Sequence, residues 1–207
     1  MTTLVFYKPY GVLSKFTGKD DQITLRQYIP VPGVYAAGRL DKDSEGLLIL
    51  TDEGDLVRQI TSPRAKQPKI YLAQVEGIAS EAQIQPMRHG LAIQDYQTLP
   101  AEVEIIPSPD LPARPVPVRN YHPTTWLRII LQEGKNRQVR RMTAAVGLPT
   151  LRLVRIAIGN IELGNLRPGE WRFASPEELR GLKGSGAGNQ LLANDADIRH
   201  DGNIQEA

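Results

Sequence analysis

Four carboxylates crowd into residues 38–52, GRLDKDSEGLLILTD. Asp41, Asp43, Glu45, Gly46 and Asp52 fall at positions 1, 3, 5, 6 and 12 of a calcium-binding loop, with Leu48 in its usual apolar slot. The flanks oppose that reading. VPGVYAAG stands where a helix should end, and LLILT follows as an unbroken apolar run of strand length. Asp at the twelfth position also reaches less far than the bidentate Glu of such loops. A second chemistry uses Asp41 alone. A carboxylic acid of reference pKa about 3.9 is ionised at neutral pH, so it can serve as nucleophile or proton acceptor. In a dry cleft it needs a cation beside it. The plainer alternative is an Asp that merely caps its turn.

The cation has an obvious source. Residues 135–155 hold six Lys and Arg and no acidic residue. Asn136 is a fitting N-cap for a helix that ends near Gly147 and Pro149. On it, Val139, Met142 and Val146 share a core-facing stripe, while Arg137, Arg140 and Arg141 cluster elsewhere. Arginines at a helix N-terminus, with Lys135 just before, favour phosphates. A merely solvated helix face remains the competing reading. The spacing lets one arginine turn inward without saying which. GKNRQ at 134–138 lacks the upstream Gly and the following Ser or Thr of a phosphate-binding loop. His89, His122 and His200 are scattered, so no metal is expected.

The elements that must carry these groups read as a mixture. Strands are predicted at 4–7, 47–51, 69–75, 125–132, 151–158 and 171–173. Helical turns are predicted at 24–29, and helices at 54–61 and from the Ser80 N-cap to about residue 89. Tyr71 then shares a strand face with Lys69 and Ala73; a half-buried strand tyrosine is the ordinary reading. Six prolines between 107 and 123 forbid regular structure and mark an extended connection between two halves.

The chain has 207 residues, 41% apolar and 23% charged, which is ordinary for one or two globular domains. It holds no apolar run long enough to span a membrane and opens without a signal-peptide layout. The absence of cysteine excludes disulfides and thiol catalysis and agrees with a cytoplasmic protein. The net charge of +2 hides an asymmetry: residues 181–207 carry two basic and four acidic side chains, leaving +4 on residues 1–180. Residues 181–207 read as a disordered polar tail.

Taken together the motifs resemble a known family. GRLDKDSEGLLILTDEG is similar to the catalytic motif of the RNA pseudouridine synthases, specifically the A type named for the small ribosomal subunit. KPYGVL precedes it; KIYLAQVEG at 69–77 and EGKNRQVRRM at 133–142 follow in the family's order. The likeness runs on through GLPTLRLVRIAIGNIELGNLRPGEWR and covers about residues 3–173. GVYAAGRLDKDSEG, GKNRQVRRM and PTLRLVRIAIG resemble most the E-type, large-subunit branch of that family.

The resemblance implies an α+β fold with a central, mixed but mainly antiparallel sheet, flanking helices and a catalytic cleft. It implies one catalytic domain, residues 1–180; many relatives carry an S4 domain ahead of it, and in departure from them none is expected here. Asp41 matches the essential aspartate, Tyr71 the aromatic residue that packs on the target base, and Arg140 the arginine that pairs with the aspartate. Leu153 matches the apolar residue of the uracil pocket. Arg39, Lys135, Arg137 and Arg141 are the expected RNA contacts, with Arg64, Lys66 and Lys69 as a second patch. The expected activity is isomerisation of a specific uridine in ribosomal RNA, 23S above all, by a monomer without cofactor, metal or membrane. A non-catalytic RNA-binding module and a calcium protein are the competing classes.

Overall fold

Residues 4–7 and 47–51, apolar without interruption, lie side by side. In this computed structural model, which describes residues 1–62, 67–93, 96–119 and 121–184, β1 (Thr3–Lys8) pairs antiparallel with β3 (Glu45–Thr51), Leu4 opposite Leu50 and Phe6 opposite Leu48. Every residue of both strands is buried. Val5, Tyr7, Leu47 and Ile49 face Leu56 and Ile60 of α1 (Gly54–Thr61) and Leu182 of α4 (Pro176–Gly184). Leu4, Phe6, Leu48 and Leu50 face Val12, Leu25, Ile29 and Val34 on the other side. Leu25–Gln27 is a single 3-10 turn, closed by a reciprocal cap between Thr24 and Gln27. Burying each large aliphatic side chain contributes about 1.5–3 kcal/mol, so covering both faces makes this pair a stiff base for the residues before β3.

The other half is β4 (Lys69–Glu76), β8 (Thr124–Leu131) and β7 (Glu102–Ile106), all antiparallel. It is covered by α2 (Glu81–His89) and α3 (Gln138–Ala145) through Ile84, Met87, Val139 and Met142. Ser80 caps α2 by accepting from Gln83 N, and the Gln83 side chain answers at Ser80 N. β9 (Thr150–Ile158) joins the halves, antiparallel to β4 and parallel to β3. The sheet order is β11-β1-β3-β9-β4-β8-β7, with β11 at Trp171–Phe173. Tyr35–Ala36 (β2) pairs with β3 and Ile161–Glu162 (β10) with β9. Ala92–Ile93 (β5) and Tyr96–Gln97 (β6) form a separate hairpin. The β3–β9 seam is short, Glu45 opposite Val154 and Gly46 opposite Arg155. Gly46 has φ 104°, and a Cβ there would overlap the Arg155 carbonyl. Only glycine lets the two halves close here.

The α+β class with a mainly antiparallel mixed sheet is as expected. Three local expectations need correction. The proline-rich stretch connects neighbours β7 and β8 rather than two halves, because β7 is the edge strand beside β8. It nonetheless crosses to the other half and back: Leu111 packs in the α1/α4 core, and Pro112 O accepts from Arg152 Nη2 at 2.7 Å. The folded body extends beyond residue 180, since α4 reaches Gly184 and Leu182 is buried against α1; residues 185–207 of the expected tail lie outside the described residues. The cap of α3 is Arg137, not Asn136. Among the described residues no helix is long and apolar enough to cross a membrane.

Candidate active site

Asp41 follows a turn that two distant elements hold in place. Ser14 Oγ accepts from Leu40 N at 3.1 Å and donates to Leu40 O at 2.7 Å. Gly11 N donates to Lys42 O at 2.8 Å, so the Pro-Tyr-Gly turn after β1 grips the loop from its far side. Ser44 N closes the loop onto Asp41 O at 3.1 Å before β3 begins. Across the cleft, the segment before α3 is latched in the same way. Buried Glu133 accepts from Leu99 N and from the Gln138 side chain, whose Oε1 in turn accepts from Lys135 N. Both walls of the cleft are therefore fixed through backbone groups, and the side chains they present are preorganised.

Between them lies a cavity of about 370 Å³. Asp41, Arg39, Tyr71, Lys135, Arg137 and Leu153 all line it. Leaving aside the second patch of Arg64, Lys66 and Lys69, these are six of the eight side chains expected at the site, drawn from the loop before β3, from β4, from the segment before α3 and from β9. Tyr71 and Leu153 are buried and belong to the same apolar cluster, so they form the dry wall. Arg39, Lys135 and Arg137 are exposed at the rim. The Lys135 Nζ sits 5.3 Å from the centre of the Tyr96 ring, a cation–π distance. Among the described residues, Asp41 is the only carboxylate that lines it.

Arg140 and Arg141 are not among the lining residues. The cation that touches Asp41 is Arg137: its Nη1 lies 3.3 Å from Asp41 Oδ2 and 3.1 Å from Asp43 Oδ1, and its Nη2 donates to Asp43 Oδ2 at 3.2 Å. Arg140 instead donates to Asp43 O at 2.8 Å and Thr150 O at 3.1 Å, with an ion pair to Asp43 Oδ2 at 3.3 Å. The expected Arg140–Asp41 pair is thus replaced by a relay through Asp43. The cause is backbone geometry. Arg137 stands in the left-handed region at φ 50°, which sets its side chain apart from the helical row of Arg140 and Arg141.

Charge balance follows this arrangement. Burial works to raise the Asp43 pKa, but the Arg137 hydrogen bonds and the charges of Arg140 and Arg137 outweigh it, and the carboxyl ends below its usual range. Arg137 is held more firmly protonated by the same bonds. Burial lowers the pKa of Arg140, whose side chain is only 12% exposed.

Beneath the loop sits a buried ionic layer that sequence reasoning missed. Glu45 accepts from Arg152 Nε and Nη2, both at 2.9 Å, with side chains 2% and 9% exposed. Lys8 is wholly buried and donates to Pro9 O at 3.0 Å and Val12 O at 2.7 Å. Arg155 Nε donates to Leu47 O at 2.8 Å. Lys69, expected in an exposed patch, donates to Gln67 O instead, and burial followed by the Arg155 charge lowers its pKa to about 8. Arg64 and Lys66 lie outside the described residues. The calcium loop fails on the same geometry: Glu45 points inward to Arg152, while Asp52 accepts from Thr2 N at the chain start. The only sequence signal for this layer is that Lys8, Glu45, Arg152 and Arg155 interrupt or abut apolar strand runs.

The family model described as RNA pseudouridylate synthase matches residues 2–145. The ribosomal large subunit pseudouridine synthase E of Vibrio vulnificus (strain CMCP6) is 54% identical over 174 residues, covering 83% of this chain and 74% of its own length. The protein of the same description from Xanthomonas campestris pv. campestris is 51% identical over 178 residues, covering 84% of this chain and 95% of its own. A crystal structure described as a pseudouridylate synthase superposes with a TM-score of 0.74 at 29% identity, covering 87% of this chain and 73% of that one.

Proposed function

The chain belongs to the RNA pseudouridylate synthase family, and on that footing we propose that it isomerises one uridine of large-subunit ribosomal RNA to pseudouridine, with Asp41 as the working carboxylate. The substrate follows the relatives named for the large ribosomal subunit. One observation carries the residue assignment: among the described residues, Asp41 is the sole acid lining the cavity that Tyr71 and Leu153 wall.

The reaction breaks the C1′–N1 glycosidic bond, turns the detached uracil and joins C5 to C1′. C5 gives up its proton and N1 regains one, so substrate and product are isomers and no co-reactant is consumed. The target nucleotide first leaves its stack, at a cost of about a few kcal/mol. Its uracil then lies against the Tyr71 ring and the Leu153 side chain, which exclude water while the base is free. Two steps call for an anion, capture of the sugar carbon and removal of the C5 proton. Asp41 serves in at least one of them. Arg137 orients its carboxylate, and Arg140 is a positioning residue that acts through Asp43 and β9.

Lys135 and Arg39 at the rim, with Arg141 further along α3, meet the phosphates and offset the unstacking cost. The enzyme acts as a monomer in the cytoplasm. Mapping pseudouridine across ribosomal RNA from cells with and without the gene tests the reading. One large-subunit position should lose its modification. Identical maps would overturn the assignment.

A further inference from the structure

The loop that carries Asp41 has a second side. There a depression is lined by Tyr10, Gly11, Asp41, Lys42, Asp43 and Arg137. Tyr10 comes from the turn after β1. Above its ring, 4.7 Å from the centre, stands the guanidinium of Arg114, delivered by the proline-rich segment. That segment is pinned two residues earlier, where Pro112 O accepts from the buried Arg152 and Leu111 packs against the α1/α4 core. Arg114 is thus held over Tyr10 by the same arginine that neutralises Glu45 beneath the Asp41 loop. Its Nε is buried without a hydrogen-bond partner.

A cation–π pair alone contributes about 0.5–1 kcal/mol at an exposed site. Leu111 and Pro112 already secure the crossing of this segment, so the pair itself adds little to stability. We propose that Tyr10 and Arg114 form a stacking platform for an unpaired base next to the target uridine on the same RNA strand. Aromatic rings and guanidinium planes are the two surfaces on which splayed RNA bases stack. The ridge of residues 41–43 then separates two pockets, one for the reacting uracil beside Tyr71 and one for its neighbour beside Tyr10. Lys42 and Arg137 flank the second pocket and meet the intervening phosphate, while Asp43 is already neutralised by Arg137 and Arg140. The platform holds the flanking nucleotide while the uridine is out of its stack, which makes Tyr10 and Arg114 determinants of sequence context.

This platform rests on the uridine isomerisation proposed above. It is tested with the full-length enzyme on ribosomal RNA from cells lacking the gene, following pseudouridine formation against RNA concentration. Tyr10→Leu and Arg114→Gln should each raise the apparent KM about tenfold, the loss of one stacking contact, with turnover at saturating RNA falling less than threefold. Tyr10→Phe, which keeps the ring, should recover most of the loss. If Tyr10→Leu misfolds, as a lowered melting temperature would reveal, Arg114→Gln on its surface loop still decides the matter. Wild-type KM in Arg114→Gln, with wild-type enzyme active on the same RNA, overturns the platform and leaves the isomerase reading intact. No pseudouridine from the wild-type enzyme overturns both.

Discussion

One guanidinium serves two carboxylates: Arg137 Nη1 lies 3.3 Å from Asp41 and 3.1 Å from Asp43, and it reaches them from a left-handed backbone turn at φ 50°. That conformation costs a non-glycine residue about 1–2 kcal/mol. The surrounding fold bears the cost at a place where the arginine fixes the direction of Asp41. Exposed ion pairs of this kind contribute little to stability, about 0–1 kcal/mol, which is why the role proposed for Arg137 is orientation.

Arg137→Ala should lower turnover by about a hundredfold, the scale of a misplaced catalytic group, while shifting the denaturant midpoint only slightly. Turnover within threefold of wild type would show that Asp41 needs no such partner.

The buried pair behaves differently. Glu45 and Arg152 are matched by two bonds of 2.9 Å in near-complete isolation from water. Arg152→Met leaves a buried carboxylate without its cation and should destabilise the fold by about 3–5 kcal/mol. Urea unfolding reads this directly. Glu45→Gln added to Arg152→Met should recover part of the loss. A single-variant loss under about 1 kcal/mol contradicts the assigned role.

Lys8 gives a pH signature. Burial lowers its pKa from 10.5 to about 8, against the opposing pull of Glu45, Asp43 and Asp41. Between those two values the unfolded chain binds the proton that the folded chain has released. Stability from this group therefore rises with pH across that window. Relative to Lys8→Met, the wild-type protein should gain about 2–3 kcal/mol of unfolding free energy from pH 7 to pH 10. Parallel stability curves for the two proteins would contradict a buried, proton-releasing Lys8.

Much of this site was legible in the residues themselves. The unbroken run 47–51 announced a strand covered on both faces, and Ser80 announced the start of α2. The spacing around Asp41 identified it as a candidate, and resemblance supplied Tyr71 and Leu153, which the fold brings to one cavity. Pairing was not legible. Helical spacing treats Arg137, Arg140 and Arg141 as one face, whereas tertiary contacts put Arg137 into a left-handed turn before the helix begins. The prolines of 107–123 forbade regular structure, yet nothing local says that Leu111 crosses the sheet to a distant core. Strands of two residues such as β2, β5, β6 and β10 carry no periodicity to read. β2 and β10 exist because the longer β3 and β9 offer them an edge, and β5 and β6 pair with each other.

Asp41→Asn removes a negative charge with almost no change of shape, and its effect on pseudouridine formation tests the whole account most directly. Purified wild-type and variant enzyme are given ribosomal RNA from cells lacking the gene, and pseudouridine is counted at the modified position. The account predicts stoichiometric modification by the wild-type enzyme and none by the variant, with RNA binding retained by both. Pseudouridine formed by Asp41→Asn would contradict it.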